Sequence, residues 1–112
     1  MKTIKFKNWD CYLTVEKYST NGNVALELIS AVTDEARGLF EGEPITTCTV
    51  NLDPLPSNQV AIKDYSENEG MLNVLQKAGI IGDVIRFESS GFVQIPICKF
   101  NEEKACEYMP PN

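Results

Sequence analysis

The sequence predicts an α+β fold: a mostly antiparallel sheet of about five to seven short strands with one amphipathic helix packed on it. Three observations predict it. Apolar residues alternate with polar ones in most runs, the period of a strand with one buried face. Asn21-Gly22 sits between two such runs and tolerates the positive φ of a tight hairpin turn. A single stretch, Met71, Val74, Leu75 and Ala78, switches to the i, i+3, i+4, i+7 spacing of a helix face.

In chain order, Lys2–Lys7 alternates, with Ile4 and Phe6 on one face, and residues 10–18 continue the period with Cys11, Leu13 and Val15 together. After Asn21-Gly22, Val24, Leu26 and Leu28 alternate with Ala25, Glu27 and Ile29, which makes an antiparallel hairpin. Thr33–Glu43 is charged and holds two glycines, so it reads as a long loop with room for one helical turn and an exposed Leu39-Phe40 pair. Pro44 starts the next strand, Ile45–Leu52, rich in threonine and valine. Asp53–Asn58 is a loop, and Gln59–Tyr65 a further short strand.

Ser66 and Glu69 have the spacing of a capping box, and Glu67 and Glu69 place negative charge at the positive end of a helix running to Gly79. Gly70, early in that helix, reads as a point of close packing onto the sheet. Val84–Glu88 and Phe92–Phe100 are strands joined through Ser89-Ser90-Gly91, with Pro96 placing the second at an edge or a bulge. Residues 101–109 suit a frayed terminal helix before Pro110-Pro111.

At 112 residues the chain suits one domain, 1–112, able to bury roughly two-thirds of its unfolded surface. No apolar run approaches the roughly 20 residues of a membrane span, and no apolar h-region follows the N-terminal lysines. A net charge of −6 repels phosphate backbones, so direct nucleic-acid binding is not expected, whereas a basic protein partner is. The four cysteines, Cys11, Cys48, Cys98 and Cys106, form no C-x-x-C pair; the first three lie in strand-like stretches and read as buried free thiols.

Chemistry is sparse. With no histidine, the usual Ser-His and Cys-His nucleophiles are excluded, and a zinc site is disfavoured. Gly79-Ile80-Ile81-Gly82 precedes a strand and so lacks the setting of a phosphate loop. No catalytic, cofactor or metal residue is therefore assigned. Candidate partner-binding residues are Asp64, Tyr65, Glu67, Asn68, Glu69 and Gly70 at the helix start, with Leu39 and Phe40 in the loop. Trp9 and Tyr12 are further interface aromatics.

The stretch Ile62-Lys63-Asp64-Tyr65-Ser66-Glu67-Asn68-Glu69-Gly70-Met71-Leu72, then Ala78-Gly79-Ile80-Ile81, carries a resemblance, as do Thr49-Val50-Asn51-Leu52, Ser90-Gly91-Phe92-Val93 and Pro96-Ile97-Cys98. Together they resemble the DUF4313-type family, small proteins of bacteriophages, plasmids and conjugative elements. The likeness covers residues 45–100 and, loosely, the N-terminal hairpin; the 33–43 loop is longer than that pattern. It implies a genomic setting and no set activity, since accessory proteins of such elements are often small, acidic and non-enzymatic, and many block host defence.

The leading expectation is a cytoplasmic accessory protein docking on a basic host protein. A second is an oligomer that sequesters a nucleotide signal through Lys63, Arg86 and backbone amides. A third is a metal-dependent enzyme using carboxylates such as Asp64.

Overall fold

The computed structural model describes residues 2–111, so Met1 and Asn112, the ends of the expected 1–112 domain, lie outside the described residues. Its strands are β1 (Ile4–Phe6), β2 (Trp9–Lys17), β3 (Val24–Ser30), β4 (Pro44–Thr47), β5 (Gln59–Ala61), β6 (Ile81–Ser90) and β7 (Val93–Phe100). Helix α1 (Met71–Lys77) lies between β5 and β6, and α2 (Glu102–Cys106) follows β7. The fold is α+β with every strand pair antiparallel.

The expected sheet is divided in two: β1-β2-β3-β4 in chain order, and β5-β7-β6. Residues 48–50, just after β4, splice them. Cys48 N–H donates to Leu26 O of β3 (2.8 Å), while Cys48 O accepts from Lys63 N–H (2.8 Å) and Val50 N–H donates to Ala61 O (3.1 Å). Helix α1 packs against β1 and β6, the outermost strands of the two sheets. The whole therefore curves around one main core.

Alternation explains that core. Cys11, Leu13, Leu26 and Leu28 are fully buried, as the period of two demands, and meet Met71 and Leu75 from the helix stripe. Val74 and Ala78 pack at its margin. A smaller cluster of Ala61, Ile95 and Ile97 lies under Val50, Leu52, Leu55 and Tyr65. Where β1 ends, the C-terminal segment takes over the edge of β2: Leu13 N–H donates to Tyr108 O at 2.9 Å. Asn101 caps α2 by accepting from Lys104 N–H at 3.0 Å.

Pro96 corrects an expectation, because β7 is the central strand of its sheet. The ladder accommodates it by direction. Pro96 O accepts from Ile62 N–H (3.0 Å), so the backbone polar groups of Pro96 face the β5 side, one residue beyond the last β5 pair, Ala61 with Ile97. The missing N–H falls where β5 ends, and the opposite pairing with Phe87 on β6 does not need it.

Candidate functional site

Two segments named from sequence meet the same β1–β2 turn, at Lys7-Asn8. Arg37 of the 33–43 loop donates to Asn8 O (3.4 Å), with its guanidinium 3.9 Å above the Trp9 ring centroid. Lys7 Nζ donates to Glu67 O at 2.7 Å. The two segments and the turn they meet thus carry Asp34, Glu35, Glu41, Glu43, Asp64, Glu67 and Glu69 against Arg37, Lys63 and Lys7, a net −4 of the chain's −6.

The loop is built as a small hairpin of its own. Asp34 and Leu39 exchange backbone hydrogen bonds (2.7 and 3.0 Å) around a 3₁₀ turn, Glu35–Arg37, closed by left-handed Gly38 (φ 68°). Ser30 ties the base, donating to Glu43 O and accepting from Gly42 N–H, each at 2.8 Å. This geometry turns Leu39 inward, 8% exposed, and leaves Phe40 outward, 52% exposed. The expected Leu39-Phe40 pair is therefore corrected: Phe40 alone is available, with Val32 exposed nearby in sequence.

The acidic segment is also rearranged. Ser66–Asn68 is a 3₁₀ turn in which Ser66 is left-handed (φ 55°), and α1 begins only at Met71. No capping box forms. Asp64 is the true cap: its Oδ1 accepts from Gly70 N–H (3.1 Å) and Leu72 N–H (2.9 Å). Gly70 precedes the helix at φ 98°, and a Cβ there would meet nothing within 4 Å, so backbone conformation requires glycine, not close packing.

Asn68 is fully buried, so its assignment to a partner surface is corrected. Its Oδ1 accepts from Thr46 Oγ1 and its Nδ2 donates to Thr47 O, both at 2.6 Å, which ties the turn to β4. Tyr65 is half-buried against the Ile95–Ile97 cluster. Glu67 and Glu69 are exposed. Glu67 pairs with Lys63 at 2.8 Å, which holds its carboxyl below the usual range and raises the lysine.

The groups expected for a nucleotide do not converge. Arg86 pairs with Glu88 on β6, and Lys63 with Glu67 beyond β5, with β7 between those strands. Among the described residues no group of three or more His, Cys, Asp or Glu is placed to hold a metal ion. Sequence reasoning missed another surface: Ile85 and Phe87 on β6 and Phe92 at the β6–β7 turn are exposed. In sequence they are indistinguishable from core positions of a strand, and no local signal marks them. No helix among the described residues is long and apolar enough to cross a membrane.

Compared with protein-family models, curated proteins and solved structures, the chain matches none.

Proposed function

We propose that this chain is a non-enzymatic binding protein that presents its acidic end to a basic protein partner. The observation that carries the reading is Phe40. It stands exposed next to Glu41 in an acidic loop, which is tied through Lys7-Asn8 and Trp9 to the turn that displays Glu67 and Glu69. An apolar anchor on an acidic loop suits a basic surface with an apolar pocket: the anchor supplies affinity and the carboxylates supply rate and selectivity.

The finer reading is an accessory protein of a phage or mobile element, acting in the host cytoplasm as an inhibitor of a host defence protein. It is supported by the family resemblance over residues 45–100 and by the charge. Nothing favours the nucleotide reading over this one, since Lys63 and Arg86 are each already paired with a carboxylate.

Capture from bacterial lysate at low and high salt, with the partner identified by mass spectrometry, tests the proposal. A specific partner should be lost at high salt. Phe40→Ala should weaken it about thirtyfold, as for a hot-spot aromatic, and Glu67→Lys with Glu69→Lys should slow association. Capture insensitive to salt and to all three substitutions would sink the proposal.

A further inference from the structure

We propose that two copies of this chain pair through the outer edge of β6, related by a two-fold axis through Phe87. The inference is independent of the acidic-end reading. Strand β6 is an edge strand. Its first residues are covered, with the Gln76 side chain donating to Gly82 O at 3.1 Å, whereas Ile85 and Phe87 further along are 50% and 58% exposed. A long edge strand carrying exposed apolar side chains invites pairing.

Pro96 fixes which groups face outward. Its carbonyl points toward Ile62, so the Phe87–Pro96 pair is a non-hydrogen-bonded one. The N–H and C=O of Phe87 therefore point away from β7, toward the open side. Two antiparallel copies of β6 centred on Phe87 can exchange both of these bonds.

The same register is self-complementary in charge. With Phe87 opposite Phe87 of the second copy, Arg86 stands opposite Glu88 of that copy, and Glu88 opposite its Arg86. Arg86 and Glu88 already form an ion pair within one chain and keep 45% of each side chain exposed. The second copy would extend this pair into a square of alternating charges on one face, with the two Phe87 rings side by side on the other. Moving the centre by one residue, to Glu88, sets the two Glu88 carboxylates against each other. Charge therefore selects one register and a second copy as the occupant.

The β6 bulge between Val84 and Arg86 falls, by the two-fold, at each end of the shared ladder, so the paired stretch is short. Beyond it, the tip of each hairpin, where Phe92 is fully exposed, reaches the start of β6 in the other copy. There Gly79, Ile81, Gly82, Lys99 and Phe100 line a depression of about 370 Å³. Pairing would join the two small sheets into one across the dimer.

Sedimentation equilibrium of the full chain from about 1 to 100 μM should show a reversible monomer–dimer equilibrium, as suits a short interface. Arg86→Glu alone and Glu88→Arg alone should each weaken it about tenfold or more, because like charges then face each other. Mixing the two variants should restore dimers, since each copy now carries the charge the other lacks. Both variants lose the internal Arg86–Glu88 pair, so recovery on mixing cannot arise from the fold of either. Phe87→Pro removes the outward N–H and the exposed ring but no hydrogen bond to β7, and should give monomers with unchanged circular dichroism. A wild-type chain monomeric throughout, single variants as dimeric as wild type, or a mixture that stays monomeric would overturn the proposal.

Discussion

Replacing Asp64 by alanine tests how the acidic turn and α1 are held. One carboxylate oxygen accepts from two backbone N–H groups, Gly70 at 3.1 Å and Leu72 at 2.9 Å. Loss of a capping acceptor costs about 0.5–2 kcal/mol. Two charge-assisted bonds at a half-buried site place Asp64→Ala near the top of that range, about 2 kcal/mol. Asp64→Asn keeps the acceptor and loses only charge, so it should cost roughly half as much or less. In urea, with a slope of about 1–2 kcal/mol per molar for a chain of this size, the alanine variant should unfold roughly 1–2 M earlier. Ser66→Ala and Glu69→Gln are the controls. The capping box they would form in a regular helix is absent, so each should stay within about 0.5 kcal/mol of wild type. An Asp64→Ala midpoint at the wild-type value, or a Ser66→Ala loss as large as that of Asp64→Ala, would refute the reasoning.

Asn68→Ala strips both hydrogen bonds from a buried site and leaves Thr47 O short of a donor, so it should cost about 2–3 kcal/mol by thermal unfolding. It should act on stability and leave partner capture by the folded fraction unchanged. Titration with a thiol reagent at neutral pH should find Cys106 reactive in the native state, and Cys11, Cys48 and Cys98 only after unfolding. Burial, with smaller contributions from nearby carboxylates, pushes the Cys11 and Cys98 thiols up to about 11 from 9.0, and Cys48 upward as well. The folded state holds these protons more tightly, so stability from this source is full below pH 9 and falls as pH rises from 9 toward 11. Replacing Cys11 and Cys98 by alanine should reduce that alkaline fall in denaturation midpoints measured against pH, leaving the part that Cys48 contributes.

The fold was legible where the signal is local. The alternation flanking Asn21-Gly22 specifies the β2–β3 hairpin, but the expected tight turn is corrected: residues 18–23 separate the last pair, Lys17 with Val24, and of the dipeptide Gly22 alone takes a left-handed conformation (φ 76°). The stripe of Met71, Val74, Leu75 and Ala78 faces the core as its spacing requires. The errors arise where a distant partner decides. Ser66-x-x-Glu69 has the spacing of a capping box, yet Asp64 reaches over the turn to the same job, and Gly70 delays the helix to Met71. Asn68 looks like a surface residue until Thr46 and Thr47 arrive from β4 to bond it. Leu39 turns inward because Asp34 closes a bridge around it. Pro96 reads as an edge residue, but its missing N–H falls opposite Ile62, one residue past the end of β5, and away from β6, so a central place leaves the β6–β7 ladder intact. Of the candidate site, the location of the acids and Phe40 was readable; which of their neighbours are structural supports depended on these long-range bonds.

The splice at residues 48–50 has a consequence for how this molecule comes apart. Its peptide groups belong to both sheets at once, bonded to Leu26 on one side and to Ala61 and Lys63 on the other. Neither sheet can peel away without breaking bonds of the other, and Cys48, buried beside them, anchors the splice in the main core. Two small sheets that would be marginal alone are thereby made a single cooperative unit, whose slowest-exchanging amides should lie at this seam.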